Sequence, residues 1–250
     1  MTDTAQAPRL TVVRDYAEMS ARAADTVARV VGGKPDAVFA LPTGSTPLGL
    51  FADLIARVGD GRLDLSQAHL LCLDEYVGVT REDPNSLTGF LDRSFLHSAG
   101  MDPARVHVLP VDEPELEAAA ASYEAELRAL GGLDLVILGL GPNGHIAYNE
   151  PGSAADSRTR VLTLTPGSIA QAEAYWEESV ATPHRAMTMG VATLLEAREI
   201  VLIVSGSAKA EMLRRMLREP MSPDVPASFL RLAADRLTVI VDEAAAADVV

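Results

Sequence analysis

Apolar positions along the chain follow two rhythms. Continuous runs rich in Val, Ile and Leu occur at residues 37–41, 68–73, 106–109, 133–140, 199–204 and 237–241, each closed by Gly, Pro, Ser or Asp. Between them the apolar positions recur at helical spacing, in residues 15–31, 47–58, 86–97, 114–130 and 208–217. A strand without alternation has both faces buried, and strands of that kind alternating with amphipathic helices predict a parallel sheet covered on both sides. The pattern therefore predicts an α/β fold, an open doubly wound and mostly parallel sheet with helices on both faces. No linker, internal repeat or low-complexity tract interrupts it, so residues 1–250 are expected to form a single domain.

Composition narrows the function classes. The chain is 48% hydrophobic and 22% charged, an ordinary globular balance, with a formal net charge of -14 at pH 7. Nucleic acid and anionic membrane both require basic surface, so neither is the expected partner. The single Cys72 excludes an intramolecular disulfide and a multi-cysteine metal site. The opening MTDTAQAPRL lacks the apolar segment of a secretory signal, and no apolar run approaches the roughly 20 residues of a membrane span. The expectation is a soluble cytoplasmic protein. Of the 21 basic residues only Lys34 and Lys209 are lysine, the other 19 being arginine.

In open parallel sheets ligands bind beyond the carboxyl ends of the strands, so the residues after each run carry the functional information. The first such end reads LPTGSTP. Thr43, Gly44, Ser45 and Thr46 offer consecutive N–H groups and hydroxyls at the start of a helix opened by Pro47. That arrangement suits a phosphate, whereas the bland alternative is a Ser or Thr helix cap. The second end, LCLDEYVG, puts Asp74 and Glu75 directly after an apolar run. Adjacent strand residues point in opposite directions, so Asp74 is assigned to the crevice, as a carboxylate whose burial makes it a better base, and Glu75 to the scaffold.

The third end, LGLGPNGHIAYNEPGS, crowds glycines, Gly144 among them, around His145, with Asn143 before it and Glu150 five residues after it. Such a cluster suits an imidazole held in one orientation with one nitrogen free for proton transfer, against the alternative of a structural hydrogen bond. The fourth end, SGSAKA, sets Lys209 in the first turn of a helix, where the helix dipole disfavours a cation unless it faces an anion. A solvated surface lysine is the alternative there.

Taken in order, LPTGSTP, LDEYVG, GPNGHIAYNEPGS with SRTR, and GSAKA resemble the glucosamine-6-phosphate deaminase family, whose fold is shared with 6-phosphogluconolactonases. The resemblance runs from about Leu41 to Val241, and HIAYNEPG looks like the deaminase form of its motif. It implies conversion of glucosamine 6-phosphate and water to fructose 6-phosphate and ammonia in amino-sugar catabolism, with no metal or organic cofactor and a small sugar phosphate as partner. It further implies that His145 opens the sugar ring, oriented by Asn143 and Glu150. Asp74 then takes the C2 proton and returns it at C1, while Gly44, Ser45, Thr46 and Lys209 hold the phosphate.

The match has gaps. Many members carry Asp where this chain has Asn143. The further phosphate-binding arginine found in the helix after LTLT is missing from PGSIAQAEAYWEE, leaving Arg185 as a substitute of unassigned position. Arg158 and Arg160 of SRTR are kept, but Leu162 stands where a lysine is expected, so activation by N-acetylglucosamine 6-phosphate is not anticipated. The resemblance admits a homo-oligomer. Two alternatives share the pocket: a phosphogluconolactonase, which needs no carbon base, and a non-catalytic sugar-phosphate sensor. Asp74 and the NEPG segment argue against the first. The joint presence of Asp74, His145 and Glu150 argues against the second.

Overall fold

The computed structural model describes residues 7–173 and 183–249. Its elements run β1 (Arg9–Val13), α1 (Tyr16–Gly33), β2 (Val38–Leu41), α2 (Leu48–Gly59), β3 (His69–Cys72), β4 (Asp74–Tyr76), α3 (Leu87–Leu91), β5 (Val106–His107), α4 (Leu116–Ala129), β6 (Leu135–Gly139), β7 (Arg160–Thr163), α5 (Pro166–Glu173), β8 (Arg185–Thr188), α6 (Val191–Leu195), β9 (Ile200–Val204), α7 (Ala210–Arg218), β10 (Leu237–Asp242) and α8 (Glu243–Ala246).

Seven strands form the main sheet in the order β1-β10-β9-β6-β2-β3-β5, all pairs parallel. The predicted α/β class is therefore observed. Every residue of β2 and β9 is buried, which is why those runs show no alternation. Helix α1 shows how the flanking layer is specified. Asp15 caps it by accepting the Glu18 N–H at 2.9 Å, and Met19, Ala23, Val27 and Val31, one turn apart, turn a buried stripe inward.

Three features differ from the sequence reading. Residues 9–13 add an edge strand whose mixed burial hides it from a search for continuous apolar runs. A second, antiparallel sheet, β4-β8-β7, forms beside the first. Its three strands have three or four residues each, and β7 is only partly buried, so no periodicity announces them. The second sheet matters because β4 starts at Asp74, one residue beyond the end of β3 after Leu73. The predicted helix at 86–97 is also divided, into α3 and a π-helical turn at Asp92–Leu96.

Candidate active site

The chain enters the middle of the sheet at β2, steps outward through β3 to β5, then returns to the other side of β2 as β6 and continues to β9 and β10. This reversal opens a crevice between the carboxyl ends of β2 and β6. The neighbours β9, β6, β2 and β3 are the four strands whose ends carry unusual residues, and together they span roughly 14 Å. Their loops line one cleft of about 490 Å³.

Thr43, Gly44, Ser45 and Thr46 form its wall after β2. Gly44 takes φ +88°, the left-handed region open to glycine. The helix-cap alternative fails here: Pro47 occupies the cap position of α2 and no side-chain cap bond forms. Tyr16 does that work instead, its hydroxyl accepting the Gly49 N–H at 2.7 Å and donating to the Ser45 carbonyl at 3.4 Å. The N–H groups of Gly44, Ser45 and Thr46 consequently donate to no acceptor among the described residues, at a helix start that favours negative charge.

Lys209 closes the short turn Ser207–Lys209 before α7 and lines the same cleft. Asp242 anchors that turn, accepting the Gly206 N–H at 3.0 Å and the Ser205 hydroxyl at 2.5 Å. The Lys209 ammonium makes no ion pair or hydrogen bond among the described residues, and burial lowers its pKa. A desolvated cation without a counter-charge is prepared for an anionic ligand.

Asp74 and Glu75 point opposite ways. Glu75 is buried and accepts hydrogen bonds from the Ser86 hydroxyl (2.6 Å) and the N–H groups of Tyr76 (2.8 Å), Leu87 (3.0 Å) and Thr88 (2.8 Å). It therefore ties β4 to the start of α3. Asp74 lines the cleft and accepts no hydrogen bond among the described residues. Burial, with the charge of Glu75, pushes its carboxyl up to about 7. A buried carboxylate poised there is a proton acceptor near neutral pH.

The loop after β6 brings the imidazole to the opposite wall. A Cβ on Gly141 would lie 2.2 Å from the His145 ring, so only glycine lets the ring rest against this strand end. Two residues beyond His145, Ala147 adopts φ +47°, a strained conformation of the kind that functional loops retain. Asn143 differs from expectation: its side chain makes no hydrogen bond to the ring. Its Oδ1 accepts the His145 backbone N–H at 3.1 Å and its Nδ2 donates to Glu150 at 2.7 Å, so it fixes the loop and the carboxylate together. Glu150 also accepts from the N–H and hydroxyl of Thr165, both at 3.3 Å. Burial would raise its carboxyl, but His145, Ser168 and Asn143 outweigh that and hold it at about 2. The ionised Glu150 lies 3.7 Å from His145 Nδ1, which is buried and has no hydrogen-bond partner.

Asp74, His145, Lys209 and residues 43–46 thus face one cavity, with Asn143 and Glu150 behind the imidazole. Gly144 lies outside the cleft lining; a Cβ there would meet Val225 at 2.9 Å. Arg185 is exposed at the start of β8 and does not line the cleft, whereas Arg93, which the sequence reading passed over, does. Arg158 pairs with Glu196, and Arg160 donates to Asn149 at 3.0 Å and Ser153 at 2.8 Å. Leu162 packs against the small apolar cluster of the second sheet. Residues 174–178 of the segment lacking an arginine lie outside the described residues. The sequence reading also missed Tyr76 and Tyr148, whose hydroxyls meet at 2.6 Å in the cleft, although both stand within two residues of motif positions already singled out.

The chain is similar to known proteins over nearly its whole length. Residues 14–239 match the family described as glucosamine-6-phosphate isomerases/6-phosphogluconolactonase. The glucosamine-6-phosphate deaminase of Rhodopirellula baltica is 43% identical over 94% of this chain and 93% of its own. Glucosamine-6-phosphate deaminase 2 of Bacillus subtilis is 38% identical over 95% and 96%. A solved monomeric glucosamine-6-phosphate deaminase superposes with a TM-score of 0.92 at 36% identity, covering 96% of this chain and 99% of that one. The 6-phosphogluconolactonase of Trypanosoma brucei shares the fold, with a TM-score of 0.76 at 20% identity over 98% and 100% of the chains.

Proposed function

The chain belongs to the family of glucosamine-6-phosphate isomerases and 6-phosphogluconolactonases, and from that premise we propose that it is a glucosamine-6-phosphate deaminase, acting as one domain over residues 1–250. It converts glucosamine 6-phosphate and water to fructose 6-phosphate and ammonia. Water is consumed and ammonia leaves, so the net reaction is a hydrolysis coupled to an isomerisation.

The phosphate sits on the free N–H groups of residues 44–46, with Lys209 supplying the counter-charge. His145 delivers a proton to the ring oxygen as the C1–O5 bond breaks and takes up the proton that the C1 hydroxyl loses, so the open-chain aldehyde forms and the imidazole is restored. The ionised Glu150 stands beside the imidazole, and Asn143 keeps both groups in place. Asp74 removes the C2 proton to give a cis-enolamine and returns it at C1. Water then adds to the resulting C2 imine, and ammonia departs. The observation that carries this reading is the pairing, in one cleft, of a bare buried carboxylate at Asp74 with an imidazole whose Nδ1 makes no hydrogen bond among the described residues. A lactonase has no use for the carboxylate, and the full-length deaminase relatives support the same choice.

A phosphorylated amino sugar is charged and stays on the side of the membrane where it is made, which fits a cytoplasmic role in N-acetylglucosamine utilisation. Among the described residues no helix is long and apolar enough to cross a membrane. The decisive experiment supplies purified protein with glucosamine 6-phosphate and measures ammonia and fructose 6-phosphate in equal amounts. Absence of both, with hydrolysis of a phosphogluconolactone instead, overturns the proposal.

A further inference from the structure

The segment linking β4 to α3 forms a wall of the cleft to which the reaction above gives no task. Asn85 lies on that wall, and its Nδ2 is buried without a hydrogen-bond partner. Burying an amide donor unsatisfied is costly, so a native protein retains it where something else completes the bond. The side-chain amide also accepts nothing among the described residues; only the backbone N–H of Asn85 is used, donating to Asp83 at 3.0 Å.

The wall is nonetheless firmly held. Glu75 accepts from Ser86, Leu87 and Thr88 immediately after Asn85. Arg81 and Asp92 form a two-point ion pair across the segment, with contacts of 2.5 Å. Arg93 donates to the carbonyl of Pro84, the residue just before Asn85, at 2.5 Å. A Cβ on Gly89 would come within 3.0 Å of the Arg93 guanidinium, so the absence of a side chain there leaves the arginine its place. Three separate ties therefore fix the backbone around an amide whose own head is uncommitted. That combination, a rigid mount and a free head, is how a ligand-contacting residue is built.

We propose that Asn85 binds the hexose itself, its amide exchanging hydrogen bonds with a sugar hydroxyl rather than with the phosphate. A hydroxyl both donates and accepts, as does a primary amide, and rotation about the broad terminal torsion of Asn85 presents either end. Tyr76 and Tyr148 are already engaged with each other, which leaves Asn85 as the uncommitted neutral polar head on this wall. The inference rests on the assignment of a sugar phosphate as substrate but does not need the deamination to occur.

The test measures binding rather than turnover alone. Calorimetry on the full chain compares fructose 6-phosphate with inorganic phosphate, for wild type and Asn85→Ala. The substitution is expected to weaken fructose 6-phosphate about tenfold, the scale of one good hydrogen bond, and to leave phosphate affinity unchanged. The melting temperature should hold or rise, since the side chain makes no bond within the protein and its buried amide is unsatisfied. In turnover, KM for glucosamine 6-phosphate should rise by the same factor, with kcat changed less than threefold. Unchanged fructose 6-phosphate affinity overturns the proposal, as does an equal loss for phosphate, which would place Asn85 at the anion end. If wild type binds fructose 6-phosphate yet releases no ammonia, the deaminase assignment fails while the Asn85 comparison still decides the contact.

Discussion

The two ends of the parallel sheet use the same residue types in opposite ways. At the amino end, Lys34 precedes β2 and is bound to Asp134 at 2.9 Å and Asp36 at 3.3 Å, while Asp134 also takes Arg198 at 2.7 Å and the Val38 N–H at 2.8 Å. Nearby, Arg105 contacts His69 Nε2 at 2.7 Å, His69 Nδ1 contacts His107 Nε2 at 3.0 Å, and His107 Nδ1 contacts Glu126 at 2.6 Å. Since arginine only donates, each proton in this chain is fixed: His69 donates to His107, and His107 donates to Glu126. At the carboxyl end the counterparts are bare. Among the described residues Lys209 has no carboxylate, His145 Nδ1 has no hydrogen bond, the Asp74 carboxylate accepts none and the Asn85 amide is idle.

Residue type therefore says little by itself; what separates scaffold from site is whether the hydrogen-bonding capacity is already spent. Satisfied groups at the amino end contribute stability. Unsatisfied groups at the carboxyl end cost stability and are retained for a ligand. Substitutions at the two ends should consequently trade activity against stability in opposite senses.

Asp74→Asn should give the largest effect. Loss of the carbon base is expected to lower kcat by roughly 10³-fold or more while fructose 6-phosphate binding survives. The base works ionised, so kcat/KM of the wild type should rise with pH through about 7 and fall on the acid side. The same group works against the fold. A carboxyl whose folded pKa is raised contributes stability below its unfolded value near 4 and loses it as pH climbs through about 7. At pH 8 the asparagine variant should thus melt higher than wild type while being inactive. A variant that loses both binding and stability would place Asp74 among the scaffold groups.

His145→Gln comes next, with turnover of the closed-ring substrate slowed about 10²-fold and the melting temperature little changed. Stopped-flow comparison with a pre-opened substrate analogue checks the assignment. Equal slowing of both would remove the ring-opening role and leave His145 as a positioning group.

Much of this contrast is readable in the sequence, and the unread part has physical causes. Buried parallel strands advertise themselves because both faces are apolar, so six of the seven main-sheet strands and the four strand-end motifs are visible in the chain. The opposed roles of Asp74 and Glu75 follow from the pleat alone. The second sheet is invisible because strands of three or four residues have no measurable period, yet it is what holds Asp74 against Thr188 of β8. Asn143 was expected on the imidazole and sits instead between backbone and Glu150, since a short amide reaches the atoms its loop presents, and spacing does not encode that loop. Asn85 carries no sequence signal at all. Its meaning lies in bonds it does not make, which only packing displays.

The lysines give a reciprocal test of intermediate size. Lys209→Ala should raise KM about tenfold through loss of a charge-assisted contact to phosphate, with the melting temperature unchanged or slightly raised. Lys34→Ala should do the reverse, leaving KM alone and lowering the melting temperature by a few degrees, because Asp134 stays buried with fewer counter-charges.

The smallest effect belongs to the histidine chain at the amino end, and it concerns pH. Burial, then the positive charge of Arg105, then His107, lowers the pKa of His69, with Asp36 opposing and Lys34 adding to the decrease. A base with a depressed folded pKa contributes stability above its unfolded value near 6.5 and loses it as pH falls through the folded one. Protonation of His69 would place an N–H against Arg105, where an acceptor is required, and break the chain at that link. The wild-type melting temperature should therefore decline between pH 7 and pH 5 by a few degrees, about 1 kcal/mol on the scale of one hydrogen bond. Glutamine at this position keeps an acceptor for Arg105 and a donor for His107 but does not titrate. His69→Gln should flatten that part of the profile while leaving kcat unchanged, and a melting curve as steep as that of wild type would show that the acid sensitivity arises elsewhere.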